Sequence, residues 1–150
     1  MSMFSAFNIN ASGLTSQRYR MDVISENVAN ANTTRTEDGT PYRRKVVTFA
    51  QKGDQTSFSR VLGSVSLYHG YSGQGVKVDG VYEDTETEMN MVYDPSHPDA
   101  DENGYVTYPN VNIITEMTNL IDASRAYEAN ATAFNASKSM ALQGLQLTQQ

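Results

Sequence analysis

The feature that most constrains the fold of this chain is a pair of seven-residue apolar repeats, one at each end. An apolar stripe with this period predicts an amphipathic helix with coiled-coil spacing, here from about Phe4 to Ala31. Arg18 and Ser25 interrupt the stripe, so the helix needs partners to be stable. The N-terminal stripe consists of Phe4, Phe7, Leu14, Met21, Ile24 and Val28.

The C-terminal repeat predicts a longer helix, from about Asn112 to Thr148. Asn110 or Asn112 can cap its start, and Glu116 suits the positive end of the helix dipole. At 1.5 Å per residue such a helix is about 55 Å long, more than a compact domain of this size needs. We therefore expect the two helices to pack on each other, antiparallel or staggered, and on neighbouring subunits. The C-terminal stripe consists of Ile113, Met117, Leu120, Tyr127, Phe134 and Leu145.

The middle of the chain has the composition of a small β-rich unit. Residues 33–109 hold eight of the ten glycines and all four prolines. Short β-branched or aromatic runs predict strands, Gly80 predicts a bulge or turn, and residues 51–75 predict a loop or exposed hairpin. The strands are predicted at 42–49, 76–78, 89–93 and 104–108. The sequence thus predicts an α+β fold: an N-terminal helix in residues 1–32, a β-rich middle in 33–109 and a C-terminal helix in 110–150.

Composition excludes several functional classes. The 150 residues contain no cysteine, which excludes disulfides, thiol nucleophiles and cysteine-ligated zinc. No run of 18 apolar residues and no signal-peptide pattern is present, so we expect no membrane-inserted segment. The net charge is −6, and an acidic chain argues against nucleic-acid binding. The charge divides into about +3 for residues 1–60 and −9 for residues 61–150. No catalytic, phosphate-binding or dinucleotide motif occurs, so we expect no enzyme, no cofactor and no small-molecule substrate.

Two polar stretches require an alternative reading. Residues 99–104 match the first half of an EF-hand loop, but the twelfth position is Asn110 where a calcium loop has Glu. A turn is the preferred interpretation, with His97 bonded to the backbone. A calcium-binding module using Asp99, Asp101 and Asn103 is the alternative. The run Arg43–Lys45 is interpreted as a solvated or interface-facing charge run.

Several segments together carry a family resemblance. Residues 27–33, Asn-Val-Ala-Asn-Ala-Asn-Thr, resemble the signature that closes the first helix of flagellar rod and hook proteins. Residues 94–101, 109–112 and 123–130 resemble the proximal-rod branch of the same family of axial proteins. Residues 51–74 carry no such motif. The matching positions of the signature are Asn27, Ala29, Asn30 and Thr33.

The resemblance implies a structural, non-enzymatic protein in the basal body of the bacterial flagellum. Members of this family are exported through the flagellar type III apparatus without a cleaved signal. They polymerise helically into the rod that crosses the periplasm, where their terminal helices surround the export channel and the rod transmits torque. The implied partners are further copies of the chain, rod proteins of the FlgB, FlgF and FlgG types, and the rod-base protein FliE.

The resemblance also implies residue roles. The two apolar stripes form the assembly seam, and Asn27, Asn30 and Thr33 cap the first helix, where asparagine tolerates left-handed backbone geometry. The alternatives left open are a sister axial protein of the rod or hook type and a secreted coiled-coil adaptor.

Overall fold

Two long helices dominate the computed structural model, which describes residues 3–52 and 74–147. Helix α1 spans Met3–Ala29 and helix α2 spans Ile113–Leu147. The Oδ1 atom of Asn112 accepts hydrogen bonds from the backbone N–H groups of Ile114 and Thr115, at 3.0 and 3.2 Å. Of the two predicted caps, Asn112 is therefore the correct one, and Asn110 bonds to other segments. Both predicted helices are correct to within two residues at each described end.

The two helices pack against each other as an antiparallel pair. Near the start of α1, the ring of Phe7 meets that of Phe134 edge to face, with centroids 5.1 Å apart. Near the end of α1, the Nδ2 atom of Asn27 lies 3.0 Å from the Oε2 atom of Glu116 at the start of α2. Because the partners run in opposite sequence order, the antiparallel alternative is correct.

The middle of the chain forms two separate antiparallel ribbons rather than one sheet. Strands β1 (Lys45–Gln51) and β2 (Val76–Glu83) pair with a bulge: Thr48 lies opposite Gly80 and Phe49 opposite Val78. The bulge predicted at Gly80 is thus confirmed. Strands β3 (Asn90–Tyr93) and β4 (Tyr105–Tyr108) form the second ribbon. Most of the loop or hairpin predicted over 51–75 lies outside the described residues.

The loop between β3 and β4 is a set of tight turns. The Oδ1 atom of Asp101 accepts hydrogen bonds from the backbone N–H groups of Asn103 and Tyr105, both at 2.8 Å. Gly104 has a φ of +81°, which a residue with a Cβ adopts only at a cost. The Nδ1 atom of His97 accepts a hydrogen bond from the backbone N–H of Asp99 at 3.1 Å. The predicted turn and the backbone-bonded histidine are both confirmed.

The apolar core of the single chain is small. Within residues 3–52 and 74–147, the buried apolar residues are Val23, Ile24, Ala31, Tyr42, Val106 and Ala123. Many large apolar side chains stay exposed, and Ile114 is 79% exposed. Since soluble monomers seldom leave so much apolar surface in groups, these exposed faces mark the molecule as one that binds partners.

Candidate functional site

Small and polar residues line the inner face of the helix pair. Gly13 and Ser16 of α1 and Ala123 and Ser137 of α2 are buried. A Cβ atom added to Gly13 would lie 2.7 Å from the Oδ1 atom of Asn130. The two helices therefore approach closely at this level, and Asn130 fits there because Gly13 has no side chain.

The predicted seam residues divide between this inner face and the surface. On α1, Ile24 is buried and the others with described side chains are half-buried: Phe7, Leu14, Met21 and Val28. On α2, Leu120 and Phe134 are half-buried, and the remaining four are exposed: Ile113, Met117, Tyr127 and Leu145. Phe4 belongs to α1, but its side chain lies outside the described part. The predicted seam thus combines residues that pack within the chain with residues that are exposed on its surface.

Within the described residues, the outer face of α2 carries the clearest exposed apolar surface. Ile114, Met117 and Ile121 are 79, 55 and 53% exposed and recur at helical spacing, so they form one group near the helix start. Met140, Leu142 and Leu145 are also exposed near the end of the helix, although Met140 and Leu142 point to different sides of it. Ile114, Ile121, Met140 and Leu142 were not among the predicted seam residues. Ile114, Ile121 and Leu142 widen the apolar stripe of α2, and this extra width was the sequence feature that could have identified them.

A buried polar cluster joins the helix pair to the strands. We call it the polar joint and define it as Asn27, Tyr42, Arg44, Asp84, Asn110 and Glu116. Asn27 is fully buried at the end of α1. Its Nδ2 group donates to the backbone carbonyl of Lys45 at 2.8 Å and to Glu116 at 3.0 Å. Its Oδ1 atom accepts from the Tyr42 hydroxyl and the Lys45 backbone N–H, both at 2.9 Å. The side chain therefore uses all of its donors and acceptors.

An ion pair between Arg44 and Glu116 lies at the centre of the polar joint. Glu116 is 1% exposed, and its Oε1 atom accepts from both Nε and Nη2 of Arg44 at 2.8 Å. The Nη1 atom of Arg44 lies 3.5 Å from the Oδ2 atom of Asp84. The solvated alternative for Arg43–Lys45 is therefore wrong for Arg44, which pairs with the buried Glu116, and Lys45 pairs with Glu26. The interface-facing alternative stays a prediction. A buried carboxylate needs such a partner to offset its lost hydration.

Asn110 ties three chain segments together at the same place. Its Oδ1 atom accepts from the backbone N–H of Arg44 at 2.8 Å. Its Nδ2 group donates to the backbone carbonyls of Asp84 at 2.9 Å and Thr87 at 3.2 Å. Asn110 thus links the entry to β1, the exit from β2 and the segment that leads into α2.

The Tyr42 hydroxyl is held in its neutral form. Burial, followed by the negative charges of Glu26, Glu116 and Glu83, raises the pKa of Tyr42 to about 12. Deprotonation would place an anion near the buried carboxylate of Glu116 and would also remove the hydrogen that the hydroxyl donates to Asn27. The Tyr42 hydroxyl in the polar joint is therefore protonated and acts as a hydrogen-bond donor.

The signature residues have different roles from one another. The Nδ2 group of Asn30 donates to the carbonyl of Glu26 at 3.0 Å, and the Thr33 hydroxyl donates to Asn30 at 3.1 Å, so these two residues close α1 as predicted. Asn27 does not cap the helix, since its amide holds the strand entry, and Ala29 is exposed. The left-handed geometry expected of asparagine is also wrong: in the described segments, positive φ occurs at glycine alone.

Comparison with known proteins gives matches over the same elements. Residues 7–35 match the family model "Flagella basal body rod protein", and residues 102–147 match "Flagellar basal body rod FlgEFG protein C-terminal". The flagellar basal-body rod protein FlgC of Bacillus subtilis is 46% identical to this chain, covering 98% of the chain and 99% of the relative. The FlgC proteins of Borreliella burgdorferi and Salmonella typhimurium are 45 and 40% identical, each covering 99% of the chain.

The chain belongs to the FlgC family of flagellar basal-body rod proteins. It is therefore a structural subunit of the basal-body rod. The two segments matched by the family models contain most of α1 with its closing turn, and β4 with α2, so both halves of the helix pair belong to the family's shared part. None of the helices within the described residues is long and apolar enough to cross a membrane.

Proposed function

We propose that this FlgC-family chain polymerises helically into the proximal rod, and that the outer face of its helix pair makes the contacts between subunits. The observation that carries the proposal is the exposed apolar group of Ile114, Met117 and Ile121 on α2. Covering such side chains contributes about 1–2 kcal/mol each, which adds up over the several neighbours of a helical assembly. Contacts between unlike faces generate a filament rather than a ring when the rotation between neighbouring subunits does not close.

The seam residues predicted from the sequence enter this proposal in two groups. The exposed positions Ile113, Met117, Tyr127 and Leu145 are proposed to meet neighbouring subunits directly. The half-buried positions, such as Phe7 and Phe134, support the same assembly by holding the pair together. Leu120 is half-buried, so a substitution there would affect packing within the helix pair as well as contacts between subunits.

The remaining features of the proposal follow from the family. The assembled chain acts as a non-enzymatic part of the drive shaft and, with its terminal helices inward, encloses the export channel. It reaches the periplasm through the flagellar type III apparatus without a cleaved signal. Its partners are further copies of itself, rod proteins of the FlgB, FlgF and FlgG types, and FliE at the rod base.

A charge placed on the outer face of α2 tests the proposal. Ile121→Asp should leave the isolated chain folded, because Ile121 is 53% exposed. In cells that lack their own FlgC, the variant should be secreted but should build no rods, since assembly would bury an unpaired carboxylate. Asn32→Asp adds the same charge at an exposed position outside both helices and should support swimming. Normal rods and normal swimming with Ile121→Asp would contradict the proposed interface.

A further inference from the structure

The strands and the helices pack on each other at only a few places in the described part of the chain. In the described part of the chain, α2 packs on α1 but on no strand, and the β3–β4 ribbon packs on neither helix. The β1–β2 ribbon lies along α1, where the Ser12 hydroxyl accepts a hydrogen bond from the backbone N–H of Val76 at 3.1 Å. The orientation of the second ribbon relative to the helix pair therefore depends on side chains and connecting segments, and one of these side chains is Val106 of β4, which is 0% exposed.

The polar joint supplies further such side chains. Glu116 reaches from α2 to Arg44, which immediately precedes β1, and Arg44 reaches on to Asp84, which immediately follows β2. Asn110 connects Arg44 and Asp84 to the segment between β4 and α2. Each segment that connects a ribbon to a helix or to the other ribbon thus contributes a residue to the polar joint.

The chemistry of the cluster favours one orientation. Apolar contacts tolerate sliding, whereas hydrogen bonds weaken steeply when their geometry changes. Asn27 has its full set of partners, and Glu116 is buried against a bidentate guanidinium contact, so a rotation of the ribbons would leave buried polar groups unpaired. A second attachment, from the Thr34 hydroxyl to Asp99 at 2.8 Å, reaches the β3–β4 loop from the segment after α1.

We propose that the polar joint fixes the orientation of the β3–β4 ribbon relative to the helix pair, with Glu116, Arg44 and Asn110 as positioning residues. In the assembled rod, a load on the ribbons reaches the helices through this cluster; this second clause rests on the rod function proposed above. The joint then acts as a stiff coupling, and assembly and coupling are separable properties of the chain.

Distances between spin labels on the isolated full-length chain test the orientation directly. The chain has no cysteine, so pairs of introduced cysteines can be labelled without background. One pair, Thr132→Cys with Glu102→Cys, reports from α2 to the β3–β4 loop, and a second, Thr132→Cys with Asn8→Cys, reports across the helix pair. All three positions are exposed. Pulsed EPR then gives a distance distribution for each pair.

The variants are Asn110→Ala and Glu116→Gln, with Asn32→Ala at an exposed position as the matched control. Either variant should at least double the width of the helix-to-ribbon distribution and leave the helix-to-helix distribution unchanged. An unchanged helix-to-ribbon width would overturn the proposal. Equal broadening of both distributions, or loss of the fold in both variants, would also overturn it, because the cluster would then be part of a common core.

The coupling between ribbons and helices has a separate readout in cells. Cells that carry Asn110→Ala should build rods, yet should lose at least half of their swimming speed in viscous medium relative to Asn32→Ala cells. Equal speeds in viscous medium would refute the coupling role. Absence of rods in cells carrying the unsubstituted chain would instead count against the proposed rod function, and the EPR result would stand independently.

Discussion

Gly13 offers the sharpest test of how the two helices approach each other. Replacing it by alanine would place a Cβ atom 2.7 Å from Oδ1, 2.9 Å from Cγ and 3.1 Å from Nδ2 of Asn130. Asn130 cannot move away freely, because its Nδ2 group donates to the carbonyl of Ala126 at 2.7 Å. The substitution therefore forces either the asparagine side chain or the helix itself to shift.

The expected free-energy change is the sum of two opposing effects. Alanine is favoured over glycine in a helix interior by about 1 kcal/mol. Forcing an extra methyl group into a close contact costs about 1–3 kcal/mol. Gly13→Ala should therefore lower the free energy of unfolding by about 0–2 kcal/mol, although propensity alone predicts an increase.

Gly144 is the matched control because it lies in α2 with no atom within 4 Å of an added Cβ. Gly144→Ala should raise the free energy of unfolding by up to about 1 kcal/mol. Urea unfolding followed by circular dichroism at 222 nm measures both variants, and adding Asn130→Ala to Gly13→Ala should recover the propensity gain. If Gly13→Ala stabilises the chain as much as Gly144→Ala, the close helix contact does not exist.

Three further predictions concern pH, backbone strain and charge. Because the pKa of Tyr42 is raised in the folded state, its contribution to stability is present below pH 10 and is lost as the pH rises towards 12. Tyr42→Phe should remove this loss of unfolding free energy at high pH, which is at most about 2 kcal/mol after solvent screening, whereas Tyr19→Phe should not remove it. Urea unfolding at a series of pH values measures the effect. Gly75→Ala should destabilise by about 1–3 kcal/mol more than Gly39→Ala in the same assay, since both have positive φ but only at Gly75 would the added Cβ meet Ser12. Equal losses of stability in the two variants would contradict this. If the oppositely charged halves of the chain attract each other between subunits, light scattering should show weaker assembly in vitro at high salt, and salt-insensitive assembly would argue against that attraction.

The helices could be predicted because their signal is local and repeated. The stripe through Phe7, Leu14 and Phe134 predicted where each helix lies and that the two pack together. Capping by Asn112 and the bulge at Gly80 also depend on neighbouring residues, and both were predicted correctly. Periodicity identified the apolar stripes but did not separate the contacts within the chain from the exposed faces.

The polar joint could not be predicted, because its partners are far apart in sequence. Asn27 and Glu116 are separated by 89 positions, and Arg44 and Glu116 by 72. The sequence shows Glu116 as a first-turn acid and Arg44 as one member of a basic run, and each role is common on a solvated surface. A polar residue on the buried side of α1, Asn27, was the one signal that a polar contact lay inside.

The central claim, that neighbouring subunits meet through the outer face of the helix pair, is tested most directly by a cryo-EM map of basal bodies built with this chain. At side-chain resolution, the account predicts that Ile114, Met117 and Ile121 are covered by helices of neighbouring subunits. A map in which these three side chains face solvent or the channel, with subunits joined through the β ribbons, would contradict the account.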